Sequence, residues 1–221
     1  IEIENESIRG IFLSYHSNFV FYFKEPLKDI QGFEALFTDE IKMVSTCKKD
    51  VDAMPESIKA RFDFRTTYFC ECPELKAEAP SIQVQPAHEE DAAAIVELLS
   101  SITEFQASQS NTPKEQRISN MAERYRQNKA TGFIIKENDQ VVAHASTGVE
   151  TGSGVMVVAV ATDPDHRKKG YGRAVVYAIT DYALRHGQKP CLFYDNPEAG
   201  KIYHDLGYVT FDLWCLGSLK T

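Results

Sequence analysis

The sequence predicts an α/β protein built on a mixed sheet, preceded by a small α+β region. Three observations carry that prediction. Strand-length alternating or apolar runs recur along the chain, and helical periodicity at i, i+3, i+4 and i+7 marks its second part. Between the two patterned regions lies a polar, proline-bounded stretch, Pro73 to Pro80, which sets the expected division at 1–76 and 81–221.

In the first region the strand candidates are Ile8–Tyr15, Asn18–Phe23, Ile41–Thr46 and Phe62–Cys72, with short helices expected at Gln31–Phe37 and Pro55–Arg61. Pro55 suits a first helical turn, where its missing N–H costs little. No chemistry-bearing motif stands in this region. A reduced copy of the second region's fold, a lid over an acceptor cleft and a homodimer surface are the roles open to it.

The second region opens with a short strand, Ile82–Gln85. A helix follows, begun by Glu89-Glu90-Asp91, acids that suit a helix N-terminus, and carrying Ile95, Leu98, Leu99 and Ile102 on one face. A second helix starts near Pro113 with Ile118, Met121, Ala122 and Tyr125 at the same spacing. Three strands, Gly132–Lys136, Val141–Val149 and Val155–Thr162, read as a meander joined at Glu137–Gln140 and Glu150–Gly154. A helix from Tyr171 to His186 stops at Gly187, and a strand at Pro190–Tyr194 comes next. A short helix, Pro197–Leu206, and a last strand, Tyr208–Leu213, complete the order β-α-α-β-β-β-α-β-α-β.

Composition excludes several functions. The formal net charge of −8 repels a phosphate backbone, so sequence-independent nucleic-acid binding is not expected. No apolar run approaches the ~20 residues that cross a bilayer, and no signal-peptide pattern stands at the start, so no membrane partner is expected. Five cysteines at scattered positions do not make a disulfide framework, which points to a reducing, cytoplasmic setting. Cys70 and Cys72 share an alternating face with Phe62, Phe64 and Tyr68. They read as core thiols, and with no second Cys/His pair at zinc spacing no metal is expected.

The informative segment runs from Val157 to Ala174. An apolar strand enters a basic, glycine-containing loop, and the loop opens directly into a helix whose first N–H groups and dipole favour an anion. Arg167, Lys168, Lys169 and Arg173 surround Gly170 and Gly172, whose missing Cβ atoms let a ligand approach the backbone. By itself the segment reads equally as a tight turn with solvated lysines. It is neither a Walker loop nor a three-glycine dinucleotide fingerprint.

Arg167-Lys168-Lys169-Gly170-Tyr171-Gly172 resembles the Arg/Gln-x-x-Gly-x-Gly/Ala loop of the GNAT acyltransferase superfamily, placed between the fourth strand and third helix of the second region. Asp195-Asn196-Pro197-Glu198-Ala199 through Tyr203, then Leu206-Gly207-Tyr208, is similar to that family's second cofactor segment. The resemblance covers about Ser81 to Thr221. It implies the GNAT fold, acetyl-CoA as co-substrate and transfer of the acetyl group to the amine of a small molecule, peptide or protein. By the same likeness Val160, Ala161 and Thr162 would line the pantetheine arm. The loop from Arg167 through Tyr171 to Arg173 would hold the diphosphate, and Asn196 would reach the arm near the thioester.

Tyr203 would protonate the departing thiolate; a phenol near pKa ~10 is a reasonable partner for a thiol near ~8.5. From position alone Tyr203 is also a core tyrosine, beside Ala199, Ile202 and Leu206, and Asn196 is also an N-cap before Pro197. Cys191 reads as core rather than nucleophile. Candidates for the base are Glu104, His144 and Glu150, each with a structural reading as a solvated charge or a strand residue. Two rival functions are carried forward: a non-catalytic CoA-binding module, and transfer of a longer acyl group.

Overall fold

The computed structural model describes residues 1–4, 6–103, 105 and 112–220. The chain divides into two compact units. The first holds residues Ile1–Cys70, Phe193–Asp195 and Thr210–Thr221; the second holds Glu71–Leu192 and Asn196–Val209. The division expected at 1–76 and 81–221 therefore differs at both edges. Residues 210–220 pack with the first unit, and residues 71–80 with the second. The polar stretch is pinned within and just before it: Lys76 N–H donates to the Leu206 carbonyl at 3.0 Å, and Cys72 N–H, at its entry, to the Pro190 carbonyl at 2.9 Å.

In the first unit the elements are β1 (Glu2–Glu4), β2 (Ser7–Tyr15), β3 (Asn18–Phe23), α1 (Ile30–Ala35), β4 (Met43–Cys47), α2 (Lys48–Ala53), α3 (Glu56–Lys59) and β5 (Phe62–Glu71). The unit is completed by β11 (Val209–Leu219), which runs antiparallel to β4, pairing Trp214 with Cys47 and Ser218 with Met43. Strands follow one another as β1-β2-β3-β4-β11-β5. β3 and β4 are parallel, which makes the sheet mixed. Phe19, Phe21, Phe23, Phe33, Phe37 and Phe62 form the core with Ile41, Val44 and Ile58. Pro55 sits one position before the helix, as its N-cap. Cys70 and Cys72 are fully buried, as the alternation requires, but Tyr68 turns outward and stacks on Tyr194 at 5.0 Å.

The second unit contains β6 (Gln85–Pro86), a 3-10 turn (Glu89–Asp91), α4 (Ala92–Ser101), α5 (Lys114–Arg126), β7 (Gly132–Glu137), β8 (Gln140–Glu150) and β9 (Gly154–Thr162). A second 3-10 turn (Pro164–His166), α6 (Tyr171–Arg185), β10 (Lys189–Tyr194, of which Lys189–Leu192 belong to this unit) and α7 (Pro197–Leu206) follow. The element order is the one the sequence predicts, and the fold is mixed α/β. The sheet order is β10-β9-β8-β7-β6, with β10 parallel to β9 and the other neighbours antiparallel. Asn138 and Asp139, at φ 49° and 63°, supply the two left-handed residues of a tight β7–β8 hairpin. α6 packs along β7, β8 and β9, and α4 packs on α5, β8 and β9. Ile95, Leu98, Leu99 and Ile102 point into a core shared with Tyr125, Ile134, Val141 and Ala161.

Candidate active site

Two irregularities of β9 shape the site. The ladder from β10 to β9 pairs Lys189 with Gly154, Pro190 with Val155 and Cys191 with Met156, and ends there. On the other side, β8 pairs His144 with Ala161 and Ser146 with Val158, so Ala159 and Val160 together face the single residue Ala145. This is a β-bulge, and Ala159 takes φ 52° to make it. A non-glycine residue there stores backbone strain, and a bulge re-aims the groups on either side of it. Val160, Ala161 and Thr162 continue from the bulge to the end of β9.

Beyond Thr162 the chain is tied down by Asp163. Its Oδ1 accepts from Asp165 N–H at 3.0 Å and from His166 Nδ1 at 2.8 Å. Lys168 at φ 64° and Gly170 at φ 84° are left-handed, and α6 starts at the next residue with Gly170 as N-cap and no side chain capping it. The first intrahelical bond runs from Ala174 N–H to the Gly170 carbonyl at 3.0 Å. The N–H groups of Tyr171, Gly172 and Arg173 therefore have no acceptor inside the helix and lie at its positive dipole end. Left-handed residues interleaved with ordinary ones turn successive N–H groups toward one concavity, a shape that binds anions. A Cβ on Gly172 would stand 3.0 Å from Thr162 Oγ1, so glycine lets β9 and α6 approach closely. Gly170 is required for a reason the sequence did not show: its positive φ, with Ile82 Cδ1 3.2 Å from where a Cβ would be.

The cations of the loop divide. Arg167 is exposed, its Nε donating to the Thr162 carbonyl at 3.4 Å, and Lys168 is exposed beside it. Lys169 leans toward Glu137 at 3.4 Å, where the Tyr171 hydroxyl and His166 Nε2 also converge. The Tyr171 hydrogen bond, with help from Lys169, holds the Glu137 carboxyl below the usual carboxylate range. Glu137 went unnoticed in the sequence because it reads as an ordinary hairpin residue.

Asn196 is the N-cap of α7: its Oδ1 accepts from Glu198 N–H at 2.9 Å, with Pro197 next. Tyr203 is buried on the inner face of α7, its ring edge-on to Tyr208 at 5.8 Å. Cys191 is half-buried in β10, neither the fully enclosed core thiol the sequence suggested nor an open one. Glu150 is exposed at the end of β8, where Gln188 Nε2 donates to it at 3.4 Å. Glu104 lies outside the described residues.

Beside the bulge, between α4, α5 and the sheet, is a cavity of about 310 Å³. Val96, Leu99 and Met121 give it an apolar wall, and Val158 and Ala159 of β9 a floor. Its polar groups are Arg117, Asn120, Arg124, Tyr125, His144 and Ser146. Ala159 on this floor and Thr162 beside the α6 N-terminus are three residues apart on one strand, about 10 Å.

His144, read from the sequence as a strand residue, is fully buried. Its Nδ1 lies 2.9 Å from the Ala159 carbonyl and its Nε2 3.0 Å from the Tyr125 hydroxyl. A carbonyl can only accept, so Nδ1 carries the proton, and Nε2 accepts from the phenol. Burial pushes the imidazole down to about 4 and the Tyr125 phenol up, so both are neutral at pH 7. An imidazole this weakly basic is a poor acceptor for an ammonium proton. The pair holds the bulge carbonyl and the phenol in place instead. Gly132 makes room for that phenol, since a Cβ there would come within 2.4 Å of Tyr125 Oη.

The sequence matches the family model described as GNAT acetyltransferase over residues 87–214, which spans β9, the loop, Asn196 and Tyr203. The chain belongs to the GNAT acetyltransferase family. Membership makes it an acyltransferase by family. Its fold is similar to an acetyltransferase of the GNAT family from Colwellia psychrerythraea, with a TM-score of 0.67 at 12% identity over 99% of this chain and 84% of that one. It is also similar to a GCN5-related N-acetyltransferase from Kribbella flavida, with a TM-score of 0.63 at 17% identity, covering 92% and 81%. A third similar structure is a GCN5-related N-acetyltransferase-like protein from Streptococcus suis, with a TM-score of 0.59 at 15% identity, covering 98% and 86%. At these identities the GNAT fold is what is shared. No curated protein matches the sequence.

The residues that sequence reasoning missed are the polar ones on α5. Arg117, Asn120 and Arg124 follow helical spacing and, with Met121 and Tyr125, form one wall of the cavity. The apolar members of that face were legible, and the two arginines beside them carry no motif that singles them out.

Proposed function

We propose that this GNAT acyltransferase uses acetyl-CoA and transfers its acetyl group to an amine held in the cavity over the β9 bulge. The observation that carries the reading is the uncapped start of α6, reached by the same strand that floors the cavity. The amides of Tyr171, Gly172 and Arg173 take the diphosphate, with Arg167 and Lys168 adding charge. The open edge of β9 beyond Met156 receives the pantetheine arm near Val160 and Thr162, and Asn196 stands at the α7 end of that arm.

In the reaction a neutral amine forms the new C–N bond to the thioester carbonyl, and the C–S bond breaks. Backbone N–H groups at the bulge stabilise the negative charge that gathers on the carbonyl oxygen. Tyr203 gives the sulfur its proton; the proton lost by the amine leaves to water, and water returns one to the Tyr203 phenolate. His144 and Tyr125 fix the backbone and wall at which the amine lies, without taking its proton. All five cysteines are free, which fits the reducing cytoplasm as the place of action.

Comparing acetyl-CoA with S-acetyl-pantetheine, which lacks the diphosphate, tests the cradle directly. Two charge-assisted hydrogen bonds to the diphosphate correspond to a loss of ~100-fold or more in affinity for the truncated thioester. Equal affinity for the two compounds in calorimetry would remove the diphosphate site. Acetyl-CoA binding without thiol release for any amine would favour a non-catalytic module.

A further inference from the structure

Resting on the reading of the cavity as the acceptor site, we propose that the acceptor is a small amine that also carries a carboxylate, a compound of the amino-acid class, and that Arg117 and Arg124 receive that carboxylate. The chain holds 32 acidic residues against 24 basic ones. Yet among the described residues that line this cavity there are two arginines and no aspartate or glutamate. The remaining titratable groups of that described lining, His144 and Tyr125, are neutral at pH 7, so the described lining is net positive inside a net negative protein. A simple alkyl ammonium entering there meets like charge. A zwitterion presents a carboxylate to the arginines and avoids that penalty.

The placement is built, not incidental. Arg117, Asn120 and Arg124 succeed one another at i, i+3 and i+7 on α5, so they project along one side of the helix. Arg124 is steadied at the rim by Nη2 contacts of 3.4 Å to the carbonyls of both Thr147 and Gly148 at the end of β8. A guanidinium fork matches a carboxylate in a way an ammonium does not. The apolar wall of Val96, Leu99 and Met121 faces the space left for a hydrocarbon side chain, and a volume of about 310 Å³ suits a molecule of this size.

The experiment follows thiol release by the full chain with acetyl-CoA and matched pairs of acceptors: phenylalanine with phenethylamine, and leucine with isopentylamine. The expected result is kcat/KM higher by ~10-fold or more for the amino acid of at least one pair. In Arg117→Gln and Arg124→Lys that ratio should shrink through KM of the amino acid, with KM for acetyl-CoA unmoved. Turnover that favours the decarboxylated amines, or ratios unchanged in both variants, overturns the proposal and leaves the acetyltransferase reading standing. A succinyl-CoA arm separates the other source of the same chemistry. If succinyl transfer to phenethylamine outruns acetyl transfer and is lost in the arginine variants, the carboxylate belongs to the acyl group, and the acceptor assignment falls. Calorimetry of both amino acids in the presence of CoA gives a readout free of turnover, and binding by neither overturns the proposal. Failure of acetyl-CoA itself to bind would instead strike the reading on which it rests.

Discussion

Replacing His144 by glutamine should flatten the acid side of the stability curve. In the folded chain the imidazole is fully buried and titrates near 4, against 6.5 for the ordinary side chain. Its folded pKa is depressed, so the unfolded chain binds the proton first as pH falls. The stability linked to the neutral ring is complete above about 6.5 and is lost toward pH 4, in all about 3 kcal/mol. Between pH 7.5 and 5 the loss comes to about 2 kcal/mol, in a window that lies mostly above the range where carboxylates titrate. Urea unfolding followed by far-ultraviolet circular dichroism, at half-unit steps across that window, measures it. The variant should be less stable at pH 7.5, because the Ala159 carbonyl and Tyr125 hydroxyl lose their partners, and should lack most of the wild-type decline. If both proteins lose the same stability between pH 7.5 and 5, His144 is not a buried neutral ring, and the reasoning that removed it as a base fails with it.

Tyr203→Phe should lower the thiol-release rate by ~10- to 1,000-fold with acetyl-CoA affinity kept, and unchanged turnover when chemistry limits the rate would remove the phenol from the reaction. Gly207→Ala should destabilise by ~2 kcal/mol or more, because the residue caps α7 at φ 114° and a Cβ would meet the Glu74 carbonyl oxygen at 2.3 Å. An unfolding midpoint within error of the parent would contradict that close approach. Gly132→Ala should expel the Tyr125 hydroxyl from His144 Nε2 at a cost of ~1–3 kcal/mol, visible as a shifted nitrogen resonance of the imidazole. A resonance that stays put would show that the phenol was not held there.

What the sequence disclosed was local. α7 begins and ends where it was read, because Asn196 and Pro197 are start signals and Gly207 a stop signal, all decided within a few residues. The β7–β8 hairpin was legible for the same reason. α2 was not, since Lys48-Lys49-Asp50 shows no apolar period; Asp50 is buried there because it accepts from Phe23 N–H at 3.1 Å and Thr46 Oγ1 at 3.2 Å. Nor could spacing show that β11 joins β4, a pairing between residues far apart in sequence. At the site, the loop and its glycines were visible as chemistry. The bulge at Ala159 was silent because alanine carries no signal for φ 52°, and the arginines of α5 gain meaning only once β8 and β9 lie opposite.

The placement of β11 has a consequence for how the protein is made. Residues 210–219 fill the gap between β4 and β5, so the nascent first unit leaves the ribosome with its sheet unfinished. It must wait on the order of ten seconds, while the second unit is translated, before the missing strand arrives. During that interval two unsatisfied backbone edges flank a phenylalanine-rich core, and that is when the polypeptide is most exposed to aggregation and most dependent on chaperones.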